Sequence, residues 1–538
     1  MGTGQPDPPP SRDRRKLLVA FGVGAVNLAV LRRVGVDRVA TSGLPGPELD
    51  PASATVELTA GSAVAEPVPS LPPPLAVDGA ESLEPPPPGH LFDVVINGGR
   101  VMDPDSGFDG LANLGIDGDR ITAVSVEPLV GTTTIDATDR VVSPGFVDLL
   151  SYEPNSFGVW LKLADGVTTN LAMHGVNNYA EAFFRRYENQ TPIHYGGAFH
   201  HHFMRGYDVG ADIGHQLTQP QKAELDSLVR SNLQQGFAGI SFSPEYSPGT
   251  TTVEMETLAA IAAELGHVCF FHARHSDPDP PGTSLEAIEE ILLIAKRTGA
   301  SVHIEHLSST GGTFVMFHAL QLINQARADG ADVTACLYPY DFWGTFLGSS
   351  RFSLGWQQRY RLSESDLQVA GTTNRLTPET FNQALRENKL VAAIGSIPDE
   401  EIQMAMQEPW VFVASDAIPT VEMNNHPRGA GTFSRTIGHY VREMGTLDLM
   451  TGLSKITIGP VLRVETMIPA MARKGRLQRG ADADIVIFNP VTIGDRATVE
   501  SPATPSVGID WVLVGGQIAL KEGMADRAVL AGRPLRSG

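Results

Sequence analysis

The sequence predicts an α/β protein: a (β/α)8 barrel of the TIM type, with a small β-sandwich built from both ends of the globular chain. Three observations predict it. Across residues 143–475 short apolar runs alternate with helical stretches at 221–235, 254–265 and 284–298, a pattern that gives a parallel sheet covered by helices. The phrase Asp93-Val94-Val95-Ile96-Asn97-Gly98-Gly99-Arg100-Val101 returns near the C-terminus as Asp510-Trp511-Val512-Leu513-Val514-Gly515-Gly516-Gln517-Ile518, which reads as two matching hairpins in one β layer. The chemistry-bearing residues fall just after apolar runs, at strand C-terminal ends, where such a barrel carries its site. A doubly wound sheet is the alternative, but the sequence has no Gly-rich phosphate turn to support it.

Taken in order, residues 1–42 read as a signal peptide or N-terminal membrane anchor. Arg12, Arg14, Arg15 and Lys16 precede an apolar stretch from Leu17 to Leu31, and Arg32 and Arg33 follow it. The paired Arg14-Arg15 hints at twin-arginine export without the full motif, and cleavage near Val39-Ala40-Thr41-Ser42 is one expected fate. A cytoplasmic extension is the alternative, so the location expected is exported or membrane-anchored, otherwise cytoplasmic. Residues 43–90, with Pro72-Pro73-Pro74 and Pro85-Pro86-Pro87-Pro88, read as a disordered linker, because proline withholds ladder hydrogen bonds. Residues 91–142 form the N-terminal part of the sandwich, 143–475 the barrel, and 476–538 the C-terminal part, in which Ala483-Asp484-Ile485-Val486-Ile487-Phe488 is a further strand.

A chain of 538 residues with 42% hydrophobic content is long enough for a barrel and an accessory domain. Its formal charge of −21 disfavours an electrostatic nucleic-acid surface, and no Lys/Arg run in the globular part offsets it, so a small molecule is the expected partner. The two cysteines, Cys269 and Cys336, lie in apolar runs and read as core residues.

A catalytic zinc needs three protein ligands and an open position. His174, His272 and His306 each follow a strand-like run and together supply that set. Asp416, at the end of Val411-Phe412-Val413-Ala414-Ser415, is placed to take a proton from water and to return it to a leaving amine.

From about Phe92 to Arg527 the chain resembles the amidohydrolase superfamily, and within it the N-acyl-D-amino-acid deacylases (D-aminoacylases). The resemblance is carried by several phrases in the family's order. They are Ser143-Pro144-Gly145-Phe146-Val147-Asp148, Gly166-Val167-Thr168-Thr169, Ser241-Phe242-Ser243-Pro244-Glu245-Tyr246-Ser247-Pro248-Gly249, His272-Ala273-Arg274, Ile304-Glu305-His306-Leu307, Tyr338-Pro339-Tyr340, Ser415-Asp416, His426-Pro427-Arg428, Gly431-Thr432-Phe433-Ser434-Arg435 and Gly480-Ala481-Asp482-Ala483-Asp484-Ile485-Val486. The resemblance implies that His272 and His306 hold a tightly bound zinc and that Asp416 is the catalytic aspartate. It sets His174 at or next to a metal-binding cysteine of the family.

Two departures stand beside the matches. The family's His-x-His after the Pro-Gly-Phe run is Leu150-Ser151-Tyr152 here, so a second, weaker metal position loses both imidazoles. Two residues beyond the second zinc histidine, where the family tends to have a lysine for the substrate's α-carboxylate, stands Ser308. The expectation is a hydrolase of non-peptide C–N amide bonds holding one Zn2+ and acting on N-acyl-D-amino acids or related N-acyl compounds. A catalytically silent binding or scaffold protein, and a hydrolase of cyclic amides or lactones, are the alternatives. His201 is a candidate to polarise the scissile carbonyl, and Arg428, Tyr338 and Tyr340 are candidates to bind substrate, Arg428 through a bidentate fork.

Overall fold

The computed structural model describes residues 86–421 and 425–538. The expected signal or anchor segment, and almost all of the expected proline-rich linker, lie outside the described residues. Among the described residues no helix is long and apolar enough to cross a membrane.

Five strands come first: β1 (Phe92–Asp103), β2 (Phe108–Asp117), β3 (Arg120–Ser125), β4 (Gly131–Asp136) and β5 (Val141–Pro144). The barrel strands follow as β6 (Phe146–Asp148), β7 (Val167–Val176), β8 (His194–His200), β9 (Gly239–Phe242), β10 (Val268–Phe271), β11 (Ser301–Ile304) and β12 (Val333–Leu337). A three-stranded antiparallel excursion, β13 (Trp343–Phe346), β14 (Leu367–Val369) and β15 (Leu390–Ala393), precedes the last barrel strand, β16 (Val411–Val413). The chain ends with β17 (Ile485–Phe488), β18 (Ile509–Val514), β19 (Gln517–Lys521) and β20 (Met524–Ala525).

The eight barrel strands are hydrogen-bonded in chain order, from β6 through β12 to β16, and every pair is parallel. A doubly wound sheet would reverse that order at a switch point, so the alternative topology is excluded. The ends of β16 and β6 meet through Asp416 N donating to Leu150 O at 2.8 Å and Ser415 N donating to Asp148 Oδ1 at 3.0 Å. Lys162 adds a buried ammonium 2.6 Å from Asp148 Oδ2. Inside the ring, Val147, Leu149, Leu171, Met173, Phe270, Cys336 and Phe412 form one apolar cluster, a packed core rather than a pore. Both cysteines are buried and free. Covering helices form at Gln219–Gln234, Thr252–Glu264 and Ser284–Thr298. The last is delimited by its own chemistry: Thr283 and Glu286 make a reciprocal capping box, and Gly299 at φ 70° takes the left-handed position that ends it.

Both ends of the described chain share one nine-stranded sheet, because β5 pairs antiparallel with β17. The two glycine phrases fold differently, which corrects the expectation of two hairpins. Gly515 and Gly516 both have positive φ, 51° and 77°, and join β18 to β19 in a hairpin. In the first phrase only Gly98 has positive φ, 75°, so β1 continues through a bulge between Ile96 and Gly99 and keeps pairing with β2.

Candidate metal centre

Four side chains from three of the barrel strands and their ends converge at its C-terminal face. His174 lies in β7, His272 follows β10, and Glu305 and His306 follow β11. One ligand atom from each lies within 4.8 Å of all the others, and all four residues are buried. His272 Nδ1 and His306 Nε2 are 3.1 Å apart, and His174 Nδ1 is 2.7 Å from Glu305 Oε2. Asp416 closes the group, with Oδ1 3.9 Å from His174 Nδ1 and Oδ2 3.8 Å from His306 Nε2. His306 and Asp416 adopt φ values of 28° and 48°, positions that L-residues seldom occupy and that concentrate at functional sites.

The outward nitrogens are held in the manner metal-ligating histidines require. His272 Nε2 is 2.5 Å from Glu245 Oε2, and His306 Nδ1 is 3.2 Å from Thr310 Oγ1. Ser241 donates to the carbonyl of His174 at 2.9 Å and lies 3.3 Å from Glu305 Oε1. Glu245 is itself anchored by Ser276 at 2.7 Å and by Arg351 at 3.3 Å. Three imidazoles and one carboxylate, pointed inward and braced from behind, form a donor set that fits zinc.

The electrostatics differ from one residue of the group to the next. Burial keeps the His306 imidazole well below its usual range, hence neutral and able to ligate. Burial works against protonation of His174 too, but Glu305 and then Asp416 outweigh it and raise its pKa. Burial would raise the Asp416 carboxyl, yet Arg428, His306 and His174 bring it down to about 2. Glu245 is likewise brought down to about 2, with Arg351 and His272 overcoming its burial.

The other expected site residues are distributed unevenly. Arg428 opens the helix Arg428–Arg435, which Asp165 anchors by accepting from Phe433 N and Ser434 N at 2.9 and 3.0 Å. Its Nη2 lies 2.8 Å from Asp416 Oδ2, and its guanidinium stacks 4.4 Å from the Tyr338 ring centroid. Arg428 Nε is buried without a hydrogen-bond partner. Tyr340 is elsewhere: its hydroxyl is 3.2 Å from Asp495, and Arg435 lies over its ring at 4.9 Å. His201 is also engaged away from the cluster, with Nε2 2.8 Å from Glu254 Oε1, which Arg205 shares at 3.0 Å. The carbonyl-polarising edge expected of His201 is therefore occupied, and its neighbour His200 is the one whose ring lies 6.3 Å from that of His174.

Leu150 is buried in the apolar cluster, while the Tyr152 hydroxyl reaches Asp416 Oδ1 at 3.3 Å. Glu153 points away, accepting from Asn177 N at 2.7 Å. The sequence reading missed Glu305 and Glu245. Glu305 carried a signal, since it adjoins His306 at the end of an apolar strand; Glu245 sits in a turn and Arg351 in the short 3-10 helix Ser350–Phe352, and neither follows an apolar strand-like run directly.

Comparison with known proteins agrees with this geometry. The model of the amidohydrolase family matches residues 380–520. An N-acyl-D-glutamate deacylase of Alcaligenes xylosoxydans xylosoxydans is 29% identical over 477 residues, covering 79% of this chain and 93% of that protein. A D-aminoacylase of the same organism is 27% identical over 468 residues, covering 79% and 94%. The crystal structure of an N-acyl-D-glutamate deacylase from Bordetella bronchiseptica, complexed with zinc and a phosphonate inhibitor, superposes with a TM-score of 0.72 at 25% identity, covering 83% of this chain and all of that one. The family model, the relatives and the solved structure together support a place in the amidohydrolase superfamily and, within it, beside the D-aminoacylases, to which this chain is similar.

Proposed function

We propose that this protein is a zinc-dependent amidohydrolase that cleaves the linear amide of N-acyl-D-amino acids or related N-acyl compounds. The observation that carries the reading is the convergence of His174, His272, Glu305 and His306 on one point with Asp416 beside them. His174, His272 and His306 would hold one zinc ion, with Glu305 as a further donor. When bound, zinc supplies Lewis-acid polarisation of the acyl carbonyl and of water.

The chain's own residues do the rest. Asp416, ionised at neutral pH, takes a proton from the attacking water as the new C–O bond forms. The same carboxyl then returns that proton to the amine nitrogen as the C–N bond breaks, so a carboxylic acid and a free amine leave. Arg428 Nε, buried and unpartnered, supplies a donor for the substrate's carboxylate, with the Tyr338 ring stacked on the guanidinium. Glu245 fixes the ring of His272, and burial of the whole group excludes bulk water.

A panel of N-acyl-D-amino acids, their L-enantiomers and cyclic amides tests the reading. Release of free D-amino acid by the zinc-loaded protein is expected, whereas turnover of cyclic amides alone would refute it. Export rests on the arginine-flanked stretch from Leu17 to Leu31, and protease protection in cells is its test.

A further inference from the structure

We infer that Tyr152 and Arg428 together take the place of a second divalent cation on Asp416, so that the centre accepts one ion however much metal is supplied. The inference rests on the metal-centre reading above and adds to it a fixed stoichiometry with named causes.

Both oxygens of Asp416 are engaged. Tyr152 donates its hydroxyl to Oδ1 at 3.3 Å, and Arg428 Nη2 donates to Oδ2 at 2.8 Å. A carboxylate recruits a second cation through lone pairs directed away from the first, and here those are covered by a phenol and a guanidinium. The guanidinium is permanently charged, so a divalent ion approaching that side meets repulsion in a buried, low-dielectric place. The phenol is a poor substitute for imidazole as a ligand, because it keeps its proton at neutral pH.

The surroundings show the same division. Asp148, another carboxylate at this end of β6, is neutralised by Lys162 at 2.6 Å, with both side chains buried. Leu150 faces the apolar cluster and offers no donor atom. The Tyr152 ring, centred 5.0 Å from that of His174, fills the space beside it. Asp416 and Asp148 are thus each matched by a basic side chain. Glu305 is not: among the described residues the hydrogen-bond and ion-pair partners of its carboxylate are His174, His306 and Ser241, none of them a lysine or arginine. One half of the site is left with unbalanced negative charge for a cation, and the other half is already balanced by the protein.

Metal uptake separates the possibilities without any assay of turnover. Apoprotein is equilibrated with excess Zn2+, and separately with Co2+, then dialysed, and bound metal per chain is measured by elemental analysis. The His306→Ala variant, treated identically, is subtracted as the measure of uptake elsewhere. Wild type is expected to saturate at one ion, and the Tyr152→His/Arg428→Met double variant at two. Wild type binding two ions at the centre overturns the inference while leaving the metal-hydrolase reading intact. A folded double variant that stays at one ion overturns it as well. No specific uptake by wild type overturns both. If the double variant does not fold, Tyr152→His alone is counted in the same way, two ions supporting the inference and one overturning it.

Discussion

The two halves of the barrel mouth differ in what their charges are for. On the side of β7, β10 and β11, three imidazoles and Glu305 point inward with no lysine or arginine among them. On the side of β6 and β16, Asp148 and Asp416 are each tied to a basic residue, Lys162 and Arg428. The first side is unsatisfied until something cationic arrives, and the second is satisfied by the fold. The contrast teaches that losing a His-x-His pair need not leave a hole, because a phenol and a guanidinium have been packed over the carboxylate that remains.

The largest effect expected from breaking this contrast comes from the imidazole side. His306→Ala should remove bound zinc and bring hydrolysis down to background, as read by elemental analysis and by initial rates. Next, Asp416→Asn keeps the size of the side chain but abolishes its role as proton carrier. A fall in kcat of about 10²- to 10⁴-fold with zinc content unchanged is expected. Glu245→Gln, which weakens the brace on His272 Nε2, should cost on the order of 10- to 100-fold in zinc affinity, measured by competition with a chelator. On the other side, Tyr152→Phe deletes one hydrogen bond of about 1 kcal/mol, so kcat should fall by no more than roughly tenfold while zinc affinity holds. A Tyr152→Phe variant that lost its zinc would show that the two halves are not separate.

A third cluster sharpens the comparison from the far end of the barrel. Asp484 is buried there against His194 at 3.0 Å and Lys474 at 2.6 Å, with no part in the metal centre. Its burial is outweighed by His194 and Lys474, which hold its carboxyl far below the usual range. A depressed carboxyl contributes stability above its unfolded pKa, and that contribution is lost as pH falls. Unfolding free energy should therefore begin to decline below about pH 4, and Asp484→Asn should flatten that decline while sparing zinc binding. Denaturant titrations over an acid pH series check both.

Much of this was legible from the chain alone. The alternation of apolar runs and helical stretches gave the barrel, because each strand must bury one face inside the ring and the other beneath a helix. The convergence of the three histidines and Asp416 was legible because the fold places strand ends at one face, so position in the run marks them. Where legibility failed, the reason was local. Gly98-Gly99 and Gly515-Gly516 are alike as letters. The turn needs positive φ at both residues, and only the second pair adopts it. At the first, Gly99 instead packs where a Cβ would lie 2.5 Å from Val142, so the glycine serves close approach of β5 rather than a turn. His201 was a candidate because its segment resembles one of the family, but Glu254, from a helix that no spacing relates to it, claims its ring nitrogen. Glu245 comes from a turn and Arg351 from a three-residue 3-10 helix, and their contact depends on tertiary structure alone.

The central claim is that one cation is held by His174, His272 and His306 with Asp416 alongside. Anomalous diffraction from crystals of the zinc-loaded protein, collected at the zinc edge, tests it most directly. A single strong peak within bonding distance of His272 Nδ1 and His306 Nε2, on the side facing His174, is the predicted result. Absence of any peak there, or a peak bound by other residues, would contradict it.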